Sequence, residues 1–359
     1  AREDGQLLVP DRMTISWIDP QTASHDQLWA WTGDSGVVER VRVMHGQAVV
    51  GVRRIRDADR LVAVDLEDGR ARWGRDVEGR IETVRPAGSA VLAVTREPAA
   101  LHLLDARDGR VRVSCDVLES AWDPFRRVRL PHRTVAVTNG WVWYVDREGS
   151  ELRAINSTSG EMVWSEPVVT LNEVLPLAAA GGIVAFAEMD GLRVMDIDPL
   201  TGEPAHSMLW AGDLAITSDT RLWVSRNHVF VLEHGRRRKA QVRVIRVDRS
   251  GGRLRLSEVR TVGRRELSWP LGSDHFVDGA RLSPKGLVLT GSSSGGAGTR
   301  TATAWTASSG RRFAWSDRRS GALETLRHPP GRYGRSAHWA TDRGLTFVPL
   351  RGGGITGRR

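Results

Sequence analysis

Along this chain short apolar runs alternate with polar turns, and no stretch predicts a helix of ten residues or more. Many runs alternate apolar with polar residues, the period of a half-buried strand. The clearest segment is Ala63-Val64-Asp65-Leu66-Glu67-Asp68-Gly69-Arg70-Ala71-Arg72-Trp73. It returns as Ala154-Ile155-Asn156-Ser157-Thr158-Ser159-Gly160-Glu161-Met162-Val163-Trp164. Each copy predicts a strand, an Asp or Asn, a turn closed by Gly, and a second strand carrying Trp.

Weaker copies fill the rest. The first full unit has strands at Val41–Met44, Ala48–Val52 and Leu61–Asp65 before its turn. The second has Ile81–Val84, Ala90–Val94 and Leu101–Asp105, then Asp108-Gly109, with Val113 where the best copies have Trp. The third has Thr134–Val137, Trp141–Val145 and Glu151–Asn156, and its turn ends at Gly160. The fourth has Val174–Ala178, Ile183–Ala187 and Leu192–Asp196, with a turn two residues longer that ends at Thr201-Gly202. The fifth has Leu214–Ile216, His228–Leu232 and Gln241–Asp248, then Gly251-Gly252. The sixth has Ala280–Leu282, Leu287–Thr290 and Thr301–Thr306, then Ser309-Gly310 and Phe313-Ala314-Trp315. The N-terminal residues 1–31 make an incomplete first unit, and spare strands follow residue 320.

The anchors Asp19, Asp65, Asp105, Asn156, Asp196, Asp248 and Thr306 are spaced by 46, 40, 51, 40, 52 and 58 residues. Four strands repeating at that period predict an all-β chain folded as a single β-propeller of four-stranded blades. A blade cannot bury both faces alone and must stack on neighbours. Strands from the two ends are expected to complete one shared blade, which removes open edges. Seven anchors give seven blades; eight follow if the tail forms its own. No linker divides the chain, so residues 1–350 are read as one domain and 351–359 as a flexible tail.

Composition narrows the function classes. The chain of 359 residues carries 14 Trp against 2 Tyr and 6 Phe, which suits a recurring structural Trp. Net charge is +9, and all basic residues except Lys239 and Lys285 are Arg. This charge is scattered among 43 acidic residues, so sequence-specific nucleic-acid binding is not expected. Cys115 is the sole cysteine, which excludes an internal disulfide or a multi-cysteine zinc site, and it is expected to be buried and inert. No apolar run spans a membrane and no signal peptide is visible; the start at Ala1 reads as a mature or trimmed form.

The run Ala63-x-Asp65-x-x-x-Gly69-x-x-x-Trp73 resembles the blade motif of the PQQ-like β-propeller superfamily, the quinoprotein alcohol dehydrogenase-like fold. The resemblance implies that Trp73, Trp164 and Trp315 dock between blades and that Gly69, Gly109, Gly160, Gly202 and Gly310 close turns. The superfamily holds PQQ-dependent dehydrogenases and non-catalytic members, among them the propeller lipoprotein of the outer-membrane assembly machine and actinobacterial envelope proteins. The enzymes set a vicinal cysteine pair against the cofactor, with a calcium ion and an Asp base. One cysteine cannot make that pair, so the resemblance implies the non-enzymatic branch, no cofactor and no PQQ binding. It also implies an envelope or extracytoplasmic location, with the cytoplasm as the alternative. No Gly-His…Trp-Asp pattern of the WD40 type is present.

Other chemistry is sparse. The ten histidines show no His-x-x-x-His or His-Glu-x-x-His spacing, so no metal site is expected on one element. Asp274-His275 reads as loop, and Ser292–Gly298 lacks the Lys and helix of a phosphate loop. Arg236-Arg237-Arg238-Lys239 is the densest basic run and predicts an exposed hairpin tip. Its functional reading is an electrostatic contact with an acidic or phosphate-rich partner. Arg126-Arg127 with Arg129, and Arg264-Arg265, also fall in loops. The expected function is a non-catalytic scaffold that binds a protein or cell-surface ligand through rim loops. The alternative is a propeller enzyme, such as a degenerate quinoprotein, with its site in a central channel.

Overall fold

The computed structural model describes residues 7–349, apart from 12, 19–24, 34–35, 56, 120–121, 124–127, 130–133, 171–174, 213, 215, 217–219, 225–226, 235–239, 263–274, 284–285, 294–299, 306–311, 318–330, 334–335 and 342–343; beyond 258 only backbone is described. Among the described residues regular structure is β, with a 3-10 turn at Ser250–Gly252. Two compact units are present, Ala1–Glu233 with Val244–Val259, and His234–Arg243 with Arg260–Arg359.

The first unit opens with a three-stranded sheet, β1 (Leu7–Asp11), β2 (Thr14–Ile18) and β3 (His25–Ala30). Four-stranded sheets follow, each an antiparallel meander in chain order. They are β4 (Gly36–Met44), β5 (Gln47–Arg54), β6 (Asp59–Asp65) and β7 (Ala71–Val77); then β8 (Arg80–Ala87), β9 (Ala90–Arg96), β10 (Ala100–Asp105) and β11 (Val111–Asp116). A short ribbon, β12 (Trp122–Asp123) with β13 (Val128–Arg129), precedes β14 (Val135–Thr138), β15 (Trp141–Val145), β16 (Glu151–Asn156) and β17 (Met162–Pro167). The next blade is β18 (Leu177–Ala180), β19 (Ile183–Glu188), β20 (Gly191–Ile197) and β21 (Pro204–Trp210). The last is β22 (Arg221–Val224), β23 (His228–His234), β24 (Ala240–Asp248) and β25 (Arg255–Val262).

The second unit holds the four-stranded β26 (His275–Ser283), β27 (Gly286–Ser293), β28 (Arg300–Trp305) and β29 (Arg312–Asp317). It ends with the three-stranded β30 (Gly331–Tyr333), β31 (Ser336–Thr341) and β32 (Gly344–Pro349). The incomplete N-terminal unit and the spare C-terminal strands expected from the sequence are thus both present.

Within the first unit the first strands of successive sheets lie side by side: β1 by β4, β4 by β8, β14 by β18, and β18 by β22. First strands therefore form an inner wall, and fourth strands stand outermost. Second strands are sandwiched between neighbouring sheets, and β5, β9, β15 and β19 bury nearly every residue. That explains their continuous apolar sequences. Outer strands such as β7 are mostly exposed.

The core is a series of layers between blades. One joins Leu61, Ala63 and Trp73 to Val84, Val91 and Leu104 of the next blade. The next joins Leu92, Leu101 and Leu103 to Val142, Tyr144 and Ile155. Another joins Trp143 and Leu152 to Leu177, Phe186 and Met195. Apolar burial, worth about 25 cal/mol per Å², thus falls mainly between blades.

The repeated turn has one construction. Asp65, Asp105, Asn156 and Asp198 each accept a side-chain bond from the backbone N–H two residues on, at 2.7–2.8 Å. The carbonyl of each accepts the N–H of the Gly four residues on, at 2.8–3.2 Å. Gly69, Gly109, Gly160 and Gly202 have φ of 70–81°, a region that other residues enter only at a cost. The fourth unit's anchor is therefore Asp198, with the same spacing as the others. The longer turn measured from Asp196 is corrected by the bulge at Asp196/Ile197, which matches those at Ala63/Val64, Leu103/Leu104 and Ala154/Ile155.

Candidate binding surfaces

The sequence marked its Trp and Gly residues as blade-docking positions. Trp73 lies opposite Ala63, and Trp164 opposite Ala154, across the third and fourth strands. The Trp315 backbone pairs in the same way with Ala302. Trp73 is buried, and its indole N–H donates to the carbonyl of Ala106 in the next blade at 3.0 Å. A Cβ on Gly109 would lie 2.6 Å from the Trp73 ring, so only glycine leaves room for the indole there.

The second blade substitutes Val113 and Arg112 for this device. A Cβ on Gly160 would meet Val113 at 3.5 Å. Arg112 reaches the carbonyl of Ser157 at 2.7 Å while pairing with Asp105 at 2.6 Å. Trp164 is half-buried and packs on Trp143 with ring centroids 5.2 Å apart and planes tilted by 54°, against the layer shared with the next blade. The ring that covers Gly202 is Trp141, 2.6 Å from the position of a Cβ. Trp141 lies in a second strand, outside the repeat motif, and the sequence reading passed over it. Gly310 and the basic run Arg236–Lys239 lie outside the described residues, as do Arg126-Arg127, Arg264-Arg265 and Asp274. The run joins β23 to β24, which are neighbours in one sheet.

Charges in the repeat turns are neutralised locally. Backbone N–H groups and Arg72 hold the Asp65 carboxyl below its ordinary pKa, with the Glu67 N–H first among them. Arg112 does the same for Asp105, and the Ser250 N–H for Asp248.

Three features could carry chemistry. First, His102 is buried, with Ser114 Oγ 2.8 Å from Nδ1 and Thr95 Oγ1 3.3 Å from Nε2. Burial pushes its pKa down against the opposing pull of Glu78 and Asp116. Among the described residues no carboxylate side chain is bonded to this imidazole, so the pair lacks the orienting acid of a hydrolytic triad. Cys115 beside it is half-buried, and burial raises its thiol pKa, which makes it a poor nucleophile. Burial also pushes Tyr144 up to about 12. Among the described residues no cluster of His, Cys, Asp or Glu is arranged to hold a metal.

Second, the inner wall carries arginines. Arg40 Nε donates to the Glu82 carbonyl of the next first strand at 2.9 Å, and Arg85 Nη1 to that of Val135 at 3.3 Å.

Third, β21 is the outer edge of its sheet, and its sequence Pro-Ala-His-Ser-Met-Leu-Trp has no Asp, Glu, Lys or Arg. The fourth strands of all other four-stranded sheets carry such charges. Met208 and Leu209 are exposed on β21, and Met189 is 66% exposed in the hairpin at the end of the blade reached by Leu209. Val169, past the end of the preceding blade's fourth strand, is also exposed.

Among the described residues, six four-stranded meanders, four of them closed by this turn, define an all-β protein of the PQQ-like β-propeller class. The family described as outer membrane protein assembly factor BamB matches residues 57–203 and 127–343, and the chain belongs to that family. Its fold is similar to the crystal structure of BamB from Moraxella catarrhalis, with TM-score 0.56 and 13% identity over 96% of each chain. The β-propeller domain of Cps50 (Swd1) from Myceliophteria thermophila is more distant, with TM-score 0.43 and 14% identity over 88% of this chain and 95% of that one. The sequence matches no curated protein. No helix among the described residues is long and apolar enough to cross a membrane.

Proposed function

We propose that this chain is a non-catalytic scaffold of the cell envelope that binds a protein partner through one rim and the adjoining outer edge of the β18–β21 blade. The observation that carries the reading is the uncharged, exposed edge of β21, with Met208 and Leu209 on it. Proteins ordinarily blunt an edge strand with charges, because its unpaired backbone N–H and C=O groups template another strand. An edge left open suits pairing with an extended segment of another chain, in which backbone bonds give affinity and apolar side chains give register. Membership of a family described as an outer-membrane protein assembly factor supports a protein partner and an envelope location. The single cysteine supports a non-enzymatic role, because PQQ dehydrogenases need a vicinal pair.

The test is quantitative co-purification from the native host with wild type, Met208→Lys/Leu209→Lys, and a control substitution at the exposed Arg70. The reading expects one or more proteins retained by wild type and the control but depleted with the β21 variant. The same protein set in all three preparations would overturn it.

A further inference from the structure

We propose that the junction between the β18–β21 and β22–β25 blades is an uncovered copy of the repeat's own ring-on-glycine dock, and that it seats an aromatic side chain of the partner segment that pairs with β21, which rests on the reading of β21 above. In the four blades closed by the repeat turn, the preceding sheet covers the glycine. Leu28 lies against Gly69, Trp73 against Gly109, Val113 against Gly160 and Trp141 against Gly202. The turn between β24 and β25 is a variant of the same device. Asp248 accepts the Ser250 N–H at 3.0 Å, and Gly252, four residues after Asp248, has φ of 67°. Gly252 is exposed, and among the described residues nothing lies within 4 Å of a Cβ placed on it.

The sequence of β21 accounts for this. The position four residues after the turn glycine holds Trp73 and Trp164 in two blades and His206 in this one. His206 lies opposite Asp196, as Trp73 lies opposite Ala63, but His206 is exposed where Trp73 is buried. Arg249, three residues before Gly252, donates to Asp196 Oδ1 at 3.0 Å and to the Gly181 carbonyl at 3.2 Å. Ala106 holds the same place before Gly109, and its carbonyl accepts the Trp73 indole N–H. The Gly252 turn therefore stands against the strand pair that carries His206. An ion pair ties these two blades where an indole ties the others, and it leaves the glycine uncovered.

A ring suits this place. The Trp73 and Trp141 rings both lie on bare glycine backbone, and a guanidinium held by a carboxylate presents a face on which an aromatic ring stacks. His206, Met208 and Trp210 alternate along one face of β21. Trp210 packs into the layer shared with β22–β24, so this face looks toward the junction, and Met208 on it is exposed. A strand added beside β21 sends every second side chain to the same face.

The experiment compares the full chain as wild type, Gly252→Ala, His206→Trp and the control Gly46→Ala. Gly46 has φ of 71° and nothing within 4 Å of its Cβ, so the control matches Gly252→Ala in backbone strain. The methyl of Gly252→Ala occupies the seat of the ring, and the indole of His206→Trp covers it from within. The probe is N-acetyltryptophanamide, followed by saturation-transfer NMR, with N-acetylleucinamide in parallel. Wild type and Gly46→Ala should bind the aromatic probe saturably and in preference to the aliphatic one. Gly252→Ala and His206→Trp should each weaken that binding by about tenfold or more, the scale of a lost aromatic anchor. The same two variants should deplete the protein that co-purifies through β21. Thermal melts identify a variant that does not fold, and the other then carries the comparison. No saturable binding, no preference for the aromatic probe, or equal binding by Gly252→Ala would overturn the proposal. A partner lost with Met208→Lys/Leu209→Lys but retained by Gly252→Ala and His206→Trp would overturn it and leave the β21 reading standing. A partner retained by every variant would overturn both.

Discussion

The indole of Trp73 lies on Gly109, the turn glycine of the following blade, and a Cβ there would stand 2.6 Å from the ring. The repeat thus links two blades: one copy supplies the ring and the next supplies the bare backbone that receives it. Gly109→Ala should therefore suffer twice, from its φ of 70° and from the collision, for a cost of about 2–5 kcal/mol. Gly46 has a similar φ of 71° but nothing within 4 Å of its Cβ, so Gly46→Ala should cost only about 1 kcal/mol. Denaturant unfolding of both variants checks this; equal losses would refute the docking.

Trp73→Ala removes a buried ring between blades and should cost about 3–5 kcal/mol. Trp73→Phe keeps most of the contact. The Ala106 carbonyl retains a bond from Gln47 Nε2 at 2.5 Å, so about 1–2 kcal/mol should be lost. Trp164→Ala should cost less than Trp73→Ala, because Trp164 is only half-buried. Thermal melts that rank Trp164→Ala as the more damaging would contradict the packing described.

His102 predicts an acid-sensitive component of stability. Its folded pKa lies below the 6.5 of an unfolded histidine because burial disfavours the charged ring. The unfolded chain then binds the extra proton, so this stabilisation is whole above about pH 6.5 and falls as pH drops below it. His102→Asn should flatten the decline between about pH 7 and 5, read by urea unfolding. The lowered carboxyls of Asp65, Asp105 and Asp248 act in a separate window. Their stabilisation is present above an unfolded value of 3.8 and is lost as pH falls through their folded values. An unchanged pH profile in the His102 variant would sink the assignment.

Arg112 holds two blades together through Ser157 and Asp105, and its side chain is 11% exposed. Arg112→Met should cost about 2–3 kcal/mol, because it strips a carbonyl and a carboxylate of their charged donor. The same change at Arg147, whose pairing with Asp116 is exposed, should cost under about 1 kcal/mol by chemical unfolding.

The blade repeat was legible because its physics is local: an Asp or Asn binds the turn and a glycine allows φ near +70°. Asp65, Asp105 and Asn156 could be read directly. Asp198 was displaced by two residues because Asp196 ends an equally good apolar run, and only the β-bulge shows which carboxyl caps the turn. Trp141 and Arg112 were missed for another reason. Their partners, Gly202 and Ser157, sit in the following blade, and no spacing within one repeat encodes a contact between repeats. The open edge of β21 was also invisible, since the lack of charge means something only once the strand is known to be outermost.

The claim that β21 pairs with a partner strand is tested most directly by hydrogen exchange at its backbone amides, with and without the protein that co-purifies. Pairing of an extended segment protects alternate amides, because successive N–H groups of a strand point to opposite sides and the inward set already bonds β20. Partner addition should slow exchange at alternate positions within 204–210 and leave the buried strand β19 unchanged. Protection confined to other blades, with β21 exchanging at its free rate, would contradict the account.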